Sequence, residues 1–178
     1  MKIRPIVLII FLFLSRAAFT AEPVAGPYVT AGGPAFKVAD RDVPLREGQK
    51  YRVVYEVTEH AGEMSDVNQE LTVVARFLNM HGQNGVPLED LDVAVVVHGK
   101  ALLAVMNDAT YREMHGIANP SLPLIESLAA AGVRFYACGQ SLGFRGLDKS
   151  VLAEPVKVGL SAMTMLVTLQ SDGYAFLP

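Results

Sequence analysis

The stretch Asp92 to Val97 (DVAVVV) most narrows what this chain can fold into. A nearly unbroken β-branched run carries no polar alternation, so a strand made from it must be covered on both faces. That is the environment of a parallel sheet held between layers of helix. The run ends at His98-Gly99. A second run, Val133-Arg134-Phe135-Tyr136-Ala137, rich in β-branched and aromatic types, delivers Cys138, the only cysteine, into the glycine-punctuated segment Gly139-Gln140-Ser141-Leu142-Gly143. A third, Tyr51 to Val57 (YRVVYEV), stops at Thr58-Glu59-His60, followed by Ala61-Gly62.

The segments between these runs carry helical periods. Val67, Leu71, Val74 and Leu78 recur every three or four residues, with Asp66 and Gln69 suited to the start of a helix and Gly82 to its stop. Short helices are expected over Ala101 to Met106 and Asp108 to His115, closed by Gly116. A longer one is expected from Asn119-Pro120 through Leu124, Ile125 and Leu128 to Gly132, with Pro123 tolerated in its first turn. Gly139 to Gly146 reads as a loop carrying Arg145. Beyond it the pattern predicts a short helix over Asp148 to Ala153, a strand at Val156 to Val158, a helix over Ala162 to Leu169 and an edge strand at Tyr174 to Leu177. Strands alternating with helices imply an α/β domain from about residue 50 to 178: a flavodoxin-like, doubly wound, mostly parallel five-stranded sheet with helices on both faces.

The first 49 residues have a different character. Lys2 and Arg4 precede the apolar run Ile6 to Leu14, and small residues follow at Ala17, Ala18 and Ala21. These are the charged, apolar and cleavage regions of a secretory signal over residues 1–21, and the run is far short of the ~20 residues of a membrane span. A periplasmic or secreted chain is expected, without a membrane span in its mature part. Residues 22–49 hold prolines at 23, 27, 34 and 44, glycines at 26, 32, 33 and 48, and no sustained period, which predicts an extended arm. Phe36-Lys37-Val38 is a candidate short edge strand within it.

Charge and motif content narrow the function. Without Lys2, Arg4 and Arg16 the 15 basic side chains fall to 12 against 18 acidic ones, a formal charge of −6. Nucleic acid is thereby disfavoured as a partner, because phosphate binding needs a basic surface. No GxSxG, Walker loop or GxGxxG occurs, so no cofactor is expected. His60, His98 and Cys138 fall at the carboxyl ends of three strands, the edge of an α/β sheet where ligands and chemistry collect. Cysteine is nucleophilic as thiolate, and a neighbouring histidine or helix amino terminus populates that form, making Cys138, His98 and His60 the candidate catalytic residues. The three have acceptable metal-ligand chemistry but no close ligand spacing, so no metal site is assigned. Asp108, Tyr111 and Asn119 fit either a polar pocket or helix caps. A lone cysteine in an exported chain forms no internal disulfide, which leaves a free thiol, an intermolecular partner or a sulfur carrier.

His98-Gly99, Asn119-Pro120, Ala131-Gly132-Val133, Ala137-Cys138-Gly139-Gln140-Ser141-Leu142, Arg145-Gly146-Leu147 and Gln170-Ser171-Asp172-Gly173-Tyr174 together resemble the DsrE/DsrF-like sulfur-relay family, from about Tyr51 to the end of the chain. The resemblance implies a flavodoxin-like fold, assembly as a homo-oligomer (trimer or hexamer), and sulfur held as a persulfide on the cysteine that Cys138 matches. An unknown sulfur donor and acceptor would be its partners. The characterised relay proteins are cytoplasmic, whereas this chain has an export leader and an added arm. Two functions therefore stand side by side: a sulfur carrier or sulfurtransferase-like protein, and a non-enzymatic oligomeric binding module for a small ligand or metal in which Cys138 is structural.

Overall fold

The structure, a computed structural model, describes residues 22–178; the leader expected over residues 1–21 lies outside them. Among the described residues five strands form one sheet: β1 (Tyr51–Val57), β2 (Leu91–Val97), β3 (Arg134–Cys138), β4 (Val156–Gly159) and β5 (Ala175–Leu177). Their order is β4-β3-β2-β1-β5 and every pairing is parallel. The helices are α1 (Gln69–Gln83), α2 (Asp108–His115), α3 (Leu122–Ala130), α4 (Gly139–Phe144) and α5 (Ala162–Ser171), with short 3₁₀ turns over Leu88–Asp90, Gly99–Val105 and Lys149–Val151. This is the expected α/β architecture with helices on both faces.

The chain steps from β1 through β4 in one direction, then returns across the whole sheet to place β5 outside β1. Right-handed crossovers running in opposite directions must lie on opposite faces, so the return segment covers its face alone. Strand alternation separates the two cores. Val53, Tyr55, Val57, Val93, Val95, Val97, Phe135 and Ala137 join the larger one with Leu71, Val74, Leu78, Leu124 and Leu128 of α1 and α3. Val54, Ala94, Val96 and Cys138 face the other way, onto Ala162, Met165, Leu166 and Leu169 of α5. β2 is buried on both sides, as its composition demands, with Val93 to Val97 at 0–1% exposure.

The structure adjusts several boundaries for local reasons. Helix α1 is capped by Asn68, whose side chain accepts from the Leu71 amide, while Asp66 instead accepts from the Glu63 amide in the turn before. Helix α3 begins at Leu122 behind Ser121, because Asn119 is buried and donates to the Ala104 and Met106 carbonyls. The expected loop Gly139–Gly146 is corrected: its first six residues are helix α4, capped by Cys138. No strand forms at Phe36 to Val38; among the described residues the arm makes a single antiparallel bridge, Val24 to Ala35. The arm packs along α1, where the fully buried Asn79 holds it, and Gly33 sits so close to the Ala75 and Arg76 backbone that a Cβ would come within 2.3 Å.

Candidate functional site

Cys138 is the last residue of β3 and the cap of α4 at once, with the extended backbone that a cap requires. Its Sγ accepts from the Ser141 amide at 3.4 Å. The short β4–α5 connection brings the amino end of α5 to the same atom, so that the Ala162 amide also faces the sulfur. Close approach makes this possible. A Cβ on Gly139 would lie 2.8 Å from the Gly159 carbonyl oxygen and 3.2 Å from that of Leu160, so any larger residue would push α4 off the β4–α5 connection.

The thiol is 5% exposed. Burial pushes its pKa up, as desolvation does to any group that ionises to an anion. The Ser141 hydroxyl and amide and the Ala162 and Gln140 amides oppose this, and together they prevail, holding the thiol below its ordinary value. Donors at the amino ends of α4 and α5 thus favour the thiolate without a cationic side chain.

His98 follows β2 directly. Its amide donates to the Val57 carbonyl, and the β2–β3 register pairs Val97 with Ala137, so His98 occupies the position on β2 next to Cys138 on β3. Its ring is turned toward β1: Nε2 lies 2.8 Å from Glu56 Oε1, both side chains being 29% exposed. Gly99 adopts φ +60°, and a Cβ there would meet the Thr58 carbonyl at 2.8 Å, which keeps this turn a glycine turn. Arg145, at the end of α4, donates to the Gly99 carbonyl at 3.0 Å and ties the turn after β3 to the turn after β2.

His60 lies three residues beyond β1 and 8% exposed. Its Nε2 faces the Glu63 carbonyl at 3.2 Å within its own loop, and its buried Nδ1 has no partner among the described residues. The structure therefore brings the His98 and Cys138 backbone positions together and gives His60 a separate environment. Asp108, Tyr111 and Asn119 serve the scaffold: Asp108 accepts from the Asn119 amide and pairs with Arg112, and the Tyr111 hydroxyl donates to the Met64 carbonyl. Among the described residues no three His, Cys, Asp or Glu side chains gather as a metal ion would need. Sequence reasoning misses Glu56, Ser141 and Ala162. Glu56 alone leaves a trace, as the only carboxylate in the strand β1.

Several exposed side chains on the elements that form this site are apolar. Phe144 ends α4 at 91% exposure, Leu160 precedes α5 at 70%, and Met163 and Val167, four residues apart on α5, stand at 76% and 64%. β4, beside β3, is an edge strand of the sheet.

Residues 49–178 match the family model described as DsrE/DsrF-like family. Among solved structures the chain is similar to "Structure of Protein of Unknown Function MTH1491 from Methanobacterium thermoautotrophicum", with a TM-score of 0.52 and 26% identity over 72% of this chain and 98% of that one. No curated protein matches.

Proposed function

The chain belongs to the DsrE/DsrF-like family, generally linked to sulfur relay, and we propose that it carries sulfur as a persulfide on Cys138. The observation that supports this is the set of N–H donors around Sγ, which makes the thiolate easier to form than burial alone would allow. In the proposed step the Cys138 thiolate attacks the outer sulfur of a donor persulfide, R–S–SH. A sulfur–sulfur bond forms at Sγ as the donor's breaks, and R–S⁻ leaves and takes a proton from solvent. One sulfane sulfur moves with no net oxidation. Attack by an acceptor thiolate on the outer sulfur then returns Cys138 to thiolate. His98, held by Glu56 at the neighbouring strand end, orders the turn beside Cys138; neither it nor His60 is given a proton-transfer step.

The 5% exposure of Cys138 favours a second reading, in which the sulfur only caps α4 inside an oligomeric binding module. Polysulfide treatment followed by intact-mass measurement separates the two. The carrier gains one sulfur, and Cys138→Ser gains none; a native protein that takes up no sulfur overturns the carrier reading.

The assembly and location are part of the same proposal. We assign the chain to a homo-oligomer, trimer or hexamer, whose contacts would cover some of the exposed apolar side chains Phe144, Leu160, Met163 and Val167. Residues 1–21 would direct the chain out of the cytoplasm. Fractionation that finds the chain only in the cytoplasm removes the second point.

A further inference from the structure

We propose that Asn84–Gly85 is a site of spontaneous covalent modification, conversion of the asparagine to isoaspartate, and that the docked arm holds the reaction off. Of the five asparagines in the chain only Asn84 is followed by glycine. In this reaction the backbone nitrogen after the asparagine attacks Cγ, and a glycine there leaves the approach free of any side chain. The pair stands at the end of α1, by the amino ends of the strands, whereas Cys138 stands at their carboxyl ends. The site is therefore independent of the function proposed above.

The folded chain keeps the nucleophile out of reach. Gly85 has φ +91° and closes α1: its N–H donates to the Gly82 carbonyl at 3.1 Å, and that of Val86 to the His81 carbonyl at 3.0 Å. Ring closure needs the Gly85 nitrogen to eclipse Cβ of Asn84, and a ψ of 12° at Asn84 leaves it far from that position. The side chain is held as well. Nδ2 donates to the Met80 carbonyl at 2.8 Å, and Oδ1 accepts from the Val38 amide at 3.0 Å and from Arg41 Nη1 at 3.3 Å. Both donors to Oδ1 belong to the arm. They polarise the Cγ carbonyl, which by itself would assist attack, but with the nitrogen turned away that polarisation has nothing to act on. Reaction waits for a local opening in which the arm leaves Asn84 and the Gly85 bond to Gly82 breaks.

Once open, the chemistry needs only water, and Asn84 lines two clefts that reach solvent. The Gly85 nitrogen gives its proton to water or hydroxide and forms a bond to Cγ. The bond from Cγ to Nδ2 breaks, and Nδ2 leaves as ammonia, taking up a proton. Water then opens the resulting five-membered imide at either carbonyl, giving aspartate or isoaspartate with no oxidation or reduction. Isoaspartate routes the main chain through Cβ and Cγ, so the paired bonds that close α1 no longer fit. Either product also loses the amide donor to the Met80 carbonyl and sets a carboxylate at the negative end of the α1 dipole. Modification thus makes release of this part of the arm permanent.

The test is incubation of the full chain in mildly alkaline buffer, with peptide mapping for the loss of the amide and enzymatic methylation to count isoaspartate. In urea the parent should convert Asn84 at least about tenfold faster than in the native state, which reaches the reactive geometry only by opening. Asn79→Ala, which loosens the arm, should convert faster than the native parent. Val38→Pro, which removes one donor to Oδ1 from an exposed position, should do the same and keeps the test decisive if Asn79→Ala does not fold. Gly85→Ala, measured in urea where its fold is irrelevant, should slow the reaction by crowding the attacking nitrogen. Equal rates in the native and unfolded parent, a Val38→Pro variant no faster than the parent, earlier conversion at another asparagine, or amide loss without isoaspartate would each overturn the proposal.

Discussion

Asn79 and Val29 exchange two hydrogen bonds: Asn79 Oδ1 accepts from the Val29 amide at 2.9 Å, and its Nδ2 donates to the Val29 carbonyl at 2.8 Å. A helix side chain thus gives the arm the pairing that a neighbouring strand would give. The same amide group also reaches the Tyr28 N–H and the Gly32 and Gly33 carbonyls. Asn79→Ala strands several of these buried backbone groups at once, each loss being costly where water cannot replace it. The expected destabilisation is about 3 kcal/mol, with early proteolysis between residues 22 and 49. Urea denaturation together with limited proteolysis would show it; a variant of unchanged stability with a protected arm would mean that the latch contributes nothing.

Cys138 should titrate below the ~8.5 of a free cysteine. The rate of its alkylation against pH reads this directly, and the rate at the plateau reports how often the buried thiol is reached. Because the opposing donors are the Ser141 hydroxyl and the backbone amides of Ser141, Ala162 and Gln140, Ser141→Ala should raise the apparent pKa. His98→Ala should move it less, since the imidazole is held by Glu56. A larger shift from His98→Ala than from Ser141→Ala would reverse that ranking.

The elements around Cys138 differ in how far they can be read from sequence. β2 and β3 are plain there, because a run rich in β-branched residues (β2) or in aromatic ones ahead of a glycine turn (β3) has few other places to go. Helix α4 is hidden: three glycines within Gly139–Gly146 read as a loop, and cysteine is not among the usual caps. The second donor set is hidden for another reason. Ala162 lies twenty-four positions away, and only the folded β4–α5 connection brings its amide to Sγ. Asn79 conceals its role in the same way, as a polar side chain on a helix whose buried partner is an irregular arm without a period of its own.

Asp108 links the start of α2 to the Asn119 turn, and the Asn119 amide bond, aided by Arg112, holds its carboxyl below the usual range. A depressed carboxyl stabilises the fold above its unfolded value of ~3.9, and that contribution is lost as pH falls through the folded value. Asp108→Ala should therefore melt earlier than the parent at neutral pH, and the difference should close in acid below the ordinary carboxyl range. A gap in melting temperature that persists unchanged at low pH would assign the effect to packing instead.

Gly139 is the residue through which α4 and α5 are brought together on one sulfur. Gly139→Ala places a methyl group 2.8 Å from the Gly159 carbonyl, a contact with backbone that no side-chain rotation relieves. Forcing an extra group into such a contact costs about 1–3 kcal/mol, and here the strain is met by moving α4 away from the β4–α5 connection. The Ala162 amide then leaves the sulfur while the Ser141 amide, within α4 itself, stays. The variant should fold, melt earlier and show a Cys138 alkylation pKa between that of the parent and that of a free cysteine. Gly143→Ala, where a Cβ meets nothing within 4 Å, is the control and should leave both properties unchanged. If Gly139→Ala lowers stability but keeps the parent's alkylation pKa, the α5 amide makes no difference to the thiolate and α4 alone tunes it.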